Sequence, residues 1–108
     1  MSDHPPRPTD AELEILTVLW SRGASSVREV HEAVNLRKPT QYTTVLKFMQ
    51  IMTEKGLVLR DESERTHVYR ARLSEDQTQR QLVKDLLARA FGGSAQQLVM
   101  QVEPMTQP

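Results

Sequence analysis

The sequence predicts a mainly α-helical fold with one small β-hairpin. Two patterns support this prediction: capping signals mark several helix starts, and after Gly56 the spacing of apolar residues changes from helical to alternating. The 108 residues are enough for one domain and one appended element. Because the chain has no cysteine, it has no disulfide framework, no thiolate metal site and no cysteine nucleophile.

Helix starts are the clearest local signal. Four times a Ser or Thr is followed three residues later by Glu or Gln and then by apolar residues, which is the capping-box pattern. The pairs are Thr9 with Glu12, Ser26 with Glu29, Ser74 with Gln77, and Ser94 with Gln97. The first pair predicts a helix from about Asp10 to Ser21 that ends at Gly23, and the second predicts a short helix from about Val27 to Asn35.

A third helix is predicted over 39–55, with Pro39 in its first turn and Gly56 at its end. Its apolar residues recur at helical spacing and should face inward. They are Val45, Phe48, Met49 and Met52. The alternating pattern then predicts a hairpin over 57–71, with strands at Leu57–Arg60 and Thr66–Arg70 joined by a polar turn.

A further helix, from about Glu75 to Phe91, carries a broad apolar stripe that the preceding domain does not need for its core. The stripe consists of Leu82, Val83, Leu86, Leu87, Ala90 and Phe91. After a Gly-Gly break, a short last helix is predicted to end before Pro104. The stripe must be covered, either by a second copy of the chain or by the helix folding back on its own domain.

Three helices followed by a two-stranded hairpin have the order of a winged helix-turn-helix. In this fold the third helix offers its exposed N-terminal side to the major groove of DNA, and the hairpin, or wing, reaches the flanking backbone. The candidate contacts are short hydrogen-bonding or basic side chains on these two elements. They are Lys38, Thr40, Gln41, Thr43, Thr44, Lys47, Arg65 and His67.

The charge distribution agrees with DNA binding, although the formal net charge is zero. Residues 22–60 hold seven Lys and Arg side chains against three Glu, whereas residues 1–21 are acidic. Basic residues are therefore concentrated in the segment that contains the predicted DNA-binding helix.

Four stretches of the sequence stand in an order and spacing that are specific when taken together. They are Thr9 to Leu16 leading to Leu19-Trp20, Tyr42 to Leu46, Lys55 to Val58, and Val68 to Arg70. Through them the chain resembles the penicillinase-repressor family of BlaI, MecI and CopY type over Thr9 to Met100. The resemblance implies a homodimeric repressor of inverted repeats with TACA/TGTA-like half-sites, with recognition contacts from Thr43, Thr44 and Lys47.

The resemblance also implies roles for the C-terminal helices. Members of the family dimerise through these helices, so the apolar stripe, together with Leu98 and Val99, should form the dimer interface. Repression should be relieved by a protease of a membrane sensor system, and alignment puts the cleaved bond at Gln101-Val102. Copper sensing through a cysteine cluster is excluded, since the chain has no cysteine.

We therefore expect a disordered arm at 1–8, a winged helix-turn-helix domain at 9–72, dimerisation helices at 73–102 and a flexible tail at 103–108. Two alternatives stay open: a winged-helix module that binds a protein instead of DNA, and a repressor that senses a ligand between the wing and the dimer helix.

No enzyme, metal site or cofactor is expected, because His4, His31 and His67 lie in separate elements and form no metal-binding or nucleophile motif. The chain also lacks a signal-peptide core and an apolar run near the roughly 18 residues of a membrane span. These absences predict a cytoplasmic protein without membrane insertion.

Overall fold

The computed structural model describes residues 7–106, so most of the predicted arm at 1–8 and the last two positions of the predicted tail lie outside the described residues. Five helices and one hairpin follow one another along this part of the chain. They are α1 (Asp10–Arg22), α2 (Val27–Arg37), α3 (Tyr42–Lys55), β1 (Val58–Asp61), β2 (Val68–Ala71), α4 (Glu75–Ala90) and α5 (Ala95–Thr106). The predicted fold class is confirmed. The chain divides into two compact units, Met1–Glu75 and Asp76–Pro108.

The first two helices begin as their capping boxes predict. The Thr9 hydroxyl accepts from the Glu12 amide at 3.2 Å, and the Glu12 carboxylate accepts from the Thr9 amide at 2.9 Å. Ser26 and Glu29 make the same reciprocal pair. Gly23 ends α1 at a φ of +88°, which a residue without a side chain adopts without strain. Both starts and this end are therefore set by local chemistry.

The core of the first unit lies where α1, α2, α3 and the hairpin meet. Val45, Met49 and Met52 of α3 are at most 1% exposed, and each such side chain contributes about 1.5–3 kcal/mol relative to remaining in water. Phe48, predicted to face inward with them, is only partly buried. The other buried apolar side chains of this core are Ile15, Leu16, Leu19, Val27, Val30, Val34, Leu57, Val58 and Tyr69.

The hairpin begins one residue later than predicted. The Leu57 amide donates to the Met52 carbonyl at 2.9 Å and the Gly56 amide to the Thr53 carbonyl at 3.1 Å, so Leu57 completes the end of α3. The strands pair antiparallel, with Val58 opposite Ala71. Ser25 extends this pairing, because it exchanges two backbone hydrogen bonds of 2.9 and 2.8 Å with Tyr69.

Two further predicted boundaries are wrong. The third helix begins at Tyr42 and not in a first turn at Pro39, because contacts from α2 hold the intervening link in another conformation. The last helix continues through Thr106, although the prediction ended it before Pro104 and assigned a flexible tail from 103. Pro104 removes only the bond to the Met100 carbonyl, and the helix ends two residues later, so the loss is confined to the final turn.

The second unit consists of α4 and α5. Thr78 is the buried residue of α4, and no side chain within Ala95–Thr106 is buried. The α5 start follows its capping signal, since the Gln97 amide donates to the Ser94 hydroxyl at 3.2 Å. The apolar side chains of this unit thus stay at least partly accessible.

An ion pair joins the start of α1 to the end of α3. The Lys55 ammonium lies 2.7 Å from Oε1 of Glu12, whose side chain is only 3% exposed, and this oxygen also accepts from the Thr9 amide. Burial raises the pKa of Glu12, but the bonds from Lys55 and Thr9 and the charge of Lys55 outweigh it, so the net pKa is lowered. The carboxylate is therefore ionised inside the domain, and its Oε1 accepts from both Thr9 and Lys55.

Removing the cation should destabilise the first unit. Lys55→Met is expected to lower the free energy of unfolding by about 3 kcal/mol, at the low end for a broken buried pair because the Lys55 side chain is 30% exposed. Urea unfolding measures this change. Arg28→Ala, which breaks an exposed α2 ion pair with Glu32, is the control and should change stability little. Equal effects of the two substitutions would contradict this role for Glu12 and Lys55.

Acid should weaken the same contact. Because the pKa of Glu12 is lowered in the folded protein, the unfolded chain binds this proton more tightly. The stability that Glu12 contributes is therefore complete above the ordinary glutamate pKa of about 4.3 and is lost as the pH falls toward the lower folded value. Urea unfolding of wild type and Glu12→Gln across this range should show the wild-type advantage shrinking with acid. An advantage that does not vary with pH would contradict the assignment.

Candidate nucleic-acid interface

One flank of α3 is polar and open to solvent. Thr43, Thr44 and Lys47, which we call the recognition face, are all exposed. They point away from the core because Val45, Met49 and Met52 occupy the other side of the same helix. Lys47 is one helical turn beyond Thr43, so the three side chains form one continuous patch. This patch offers two hydroxyls, two methyl groups and one cation.

The link between α2 and α3 carries the next predicted residues. Lys38 and Gln41 are exposed, whereas Thr40 is partly buried and its hydroxyl donates to the Lys38 carbonyl at 2.7 Å. Gln41 is the N-cap residue of α3, and its side chain makes no capping hydrogen bond. Unlike α1 and α2, α3 therefore begins without a side-chain cap, and the positive end of its dipole is free to meet an anion.

The remaining predicted contacts lie in the turn of the wing. Arg65 and His67 are exposed in the segment between β1 and β2. This turn is shaped by Asp61, whose carboxylate accepts from the Ser63 amide at 2.9 Å. Hydrogen bonds from Ser63 lower the pKa of Asp61, so it remains ionised. Arg65 and His67 thus lie on an exposed turn that also carries the carboxylates of Glu62 and Glu64.

Sequence reasoning missed three residues beside the recognition face. His31 Nε2 lies 2.7 Å from the Thr40 carbonyl oxygen, and Asn35 Oδ1 accepts from the Thr40 amide at 2.8 Å. Tyr42, the first residue of α3, is 45% exposed and meets the His31 ring edge to face at 5.7 Å. In the sequence, the only indication of this arrangement was the spacing of His31 and Asn35, which puts both residues on one side of α2.

The residues predicted to form a dimer interface are apolar and accessible. Leu82, Leu87, Phe91 and Leu98 are partly buried, whereas Val83, Leu86, Ala90 and Val99 are exposed. Gln101 and Val102, the predicted cleavage position, are exposed on α5.

Within residues 7–106, no three His, Asp or Glu side chains come together as a possible metal site. None of the helices in this range is long and apolar enough to cross a bilayer.

Comparison with known proteins identifies the family. Residues 8–104 match the family model of the penicillinase repressors. The transcriptional regulator BlaI of Mycobacterium tuberculosis is 35% identical over 92 residues, which cover 84% of this chain and 67% of that protein. The penicillinase repressor of Staphylococcus aureus is 22% identical over 90 residues, or 83% of this chain and 71% of that protein.

Two solved structures share the fold. One is the solution structure of the monomeric form of Bacillus licheniformis BlaI in complex with the blaP half-operator, and it covers 67% of this chain and 88% of its own. The other is the DNA-binding domain of the repressor BlaI, with 69% and 90% covered. Each has a TM-score of 0.59 at 24% identity, which confirms the winged-helix fold. The chain therefore belongs to the penicillinase repressor family of DNA-binding transcriptional regulators.

Proposed function

We propose that this protein represses transcription as a homodimer that binds palindromic operator DNA through the recognition face of α3 and the wing. The observation that carries the proposal is the division of α3 into a side buried through Val45, Met49 and Met52 and an exposed polar flank. A helix presented in this way fits the major groove of B-form DNA.

Recognition of the DNA base sequence is assigned to Thr43 and Thr44. The hydroxyls of Thr43 and Thr44 can donate to or accept from base edges, and their methyl groups can contact thymine methyls. Lys47 follows one turn later and neutralises a phosphate, which adds affinity without sequence information. The recognition face therefore combines base readout with backbone anchoring.

Phosphate binding is assigned to the start of α3 and to the wing. The N-terminus of α3 lacks a side-chain cap and lies next to the exposed Lys38 and Gln41, which favours a DNA phosphate at this end of the helix. Arg65 and His67 are assigned to the flanking backbone or the minor groove. These contacts would orient the recognition face relative to the base pairs.

Dimerisation is assigned to α4 and α5. Val83, Leu86 and Val99 are 44%, 45% and 49% exposed, and a second copy of the chain would cover them. A two-fold symmetric dimer matches an inverted repeat, one protomer to each half-site. The related BlaI structure, a monomeric form on a half-operator, supports this stoichiometry.

Relief of repression is assigned to cleavage between Gln101 and Val102 by the protease of a membrane sensor system. Both residues are exposed, but a protease binds extended chain, so α5 must unwind locally before it is cut. Pro104 favours that unwinding, because it lacks the amide hydrogen of a helical bond near the same end. Cleavage would weaken the dimer, and the two half-sites would then be bound independently.

Removing the threonine hydroxyls should reduce specific binding. Thr43→Ala and Thr44→Ala are each expected to cost about 1–3 kcal/mol in operator affinity because each removes a base contact. The measurement is a gel-shift titration on operator fragments selected from the genomic DNA of the source organism. Thermal unfolding should stay close to wild type, since both side chains are exposed. A double variant that binds the operator as tightly as wild type would refute this site.

Lys47→Ala should instead weaken binding to all DNA sequences and reduce the slope of log affinity against log salt by about one unit. Lys84→Ala, in α4, is the matched control and should leave the slope unchanged. If the affinity of the wild-type protein for DNA does not change with salt, the alternative of a protein-interaction module is favoured.

The dimer is tested with a charge on the apolar stripe. Leu86→Asp should dissociate the dimer because it inserts an unpaired carboxylate into an apolar interface, whereas Ala88→Asp, also exposed but almost opposite on α4, should not. Sedimentation equilibrium measures the effect. A Leu86→Asp protein with the wild-type mass would exclude this interface.

A further inference from the structure

We propose that His31 and Asn35 of α2 are positioning residues for operator recognition, because together they hold the backbone of Thr40 and so fix the start of α3. The inference rests on the proposed DNA-binding function and adds two residues that need not touch DNA. Neither belongs to the recognition face.

The two side chains bind both backbone groups of one residue. Asn35 Oδ1 accepts from the Thr40 amide at 2.8 Å, and His31 Nε2 donates to the Thr40 carbonyl at 2.7 Å. The donor is assigned by chemistry, since a carbonyl oxygen only accepts and Nε2 must therefore carry the proton. His31 and Asn35 are one helical turn apart, so both reach the link from the same side of α2.

These bonds restrict the conformation of the link. The amide of Thr40 belongs to the peptide plane before it and the carbonyl to the plane after it, so fixing both planes fixes the dihedral angles of Thr40. On one side, the Lys38 amide donates to the Val34 carbonyl at 3.0 Å and ends α2. On the other, the Gln41 carbonyl accepts from the Thr44 amide at 3.1 Å and begins α3. Thr40 therefore determines how one helix leads into the next.

His31 also contacts α3 itself. Its ring meets the ring of Tyr42 at a centroid distance of 5.7 Å and an interplanar angle of 78°, a favourable edge-to-face arrangement. Tyr42 is directly followed by Thr43 and Thr44. One side chain of α2 thus holds both the link and the first residue of the recognition helix, and a displacement there would move the recognition face relative to the bases.

This role has a signature that differs from that of a DNA contact. Base readout depends on position to a fraction of an ångström, whereas nonspecific binding depends on phosphate charge. Neutral substitutions at His31 or Asn35 should therefore reduce discrimination between DNA sequences and leave the salt dependence unchanged.

The experiment compares His31→Leu, His31→Gln and Asn35→Ala with wild type. Fluorescence anisotropy gives the Kd for a duplex carrying the selected operator and for a scrambled duplex of equal length, and NMR gives the exchange rate of the Thr40 amide. His31→Leu and Asn35→Ala should lose about tenfold in operator affinity, comparable to one base contact, and less than about twofold on the scrambled duplex. His31→Gln, which keeps an N–H donor, should recover most of the loss. The Thr40 amide should exchange faster in Asn35→Ala.

Ser21→Ala, a neutral truncation on the exposed surface of α1, is the control and should change neither affinity. The inference would be overturned by any of three results. The variants could lose the same affinity on both duplexes, His31→Gln could bind the operator no better than His31→Leu, or operator binding could stay unchanged. If His31→Leu fails to fold, Asn35→Ala and His31→Gln decide the question. A wild-type protein that does not discriminate the two duplexes would refute the proposed function as well, whereas discrimination retained in every variant would refute this inference alone.

Discussion

The burial of one side of α3 is the constraint on which the rest of the structure depends. Val45, Met49 and Met52 are enclosed by α1, α2 and the hairpin, so α3 cannot rotate about its axis without exposing apolar surface. The orientation of Thr43, Thr44 and Lys47 is the direct consequence. The proposed DNA contacts are thus set by packing behind the helix and not by any contact among the polar side chains themselves.

Contacts at both ends hold α3 along its axis. At the C-terminal end of α3, Lys55 pairs with the buried Glu12 of α1, and Gly56 leads the chain directly into the wing. At its start, the bonds from α2 to Thr40 define the link. The first unit therefore holds the helix at both ends, and base readout requires such positioning.

Local chemistry explains what the sequence could predict. The capping boxes at Thr9 and Ser26 and the stops at Gly23 and Gly56 involve residues within one or two helical turns, and the structure confirms them. The start of α3 was mispredicted because Pro39 is compatible with a first helical turn, while side-chain bonds from α2 to Thr40 give the link another conformation. The Glu12–Lys55 pair joins residues 43 positions apart, and no local pattern indicates it.

The exposed apolar side chains of α4 and α5 and the polar flank of α3 belong to different units, so the proposed DNA reading and the proposed dimerisation can be tested separately. The proposed function requires that the flank of α3 enter the major groove. Its most direct measurement is an NMR study of the isotopically labelled protein bound to the selected operator duplex. Nuclear Overhauser effects are expected between the Thr43 and Thr44 methyl groups and major-groove base protons. A bound complex in which both methyl groups remain distant from every base would contradict the proposed function.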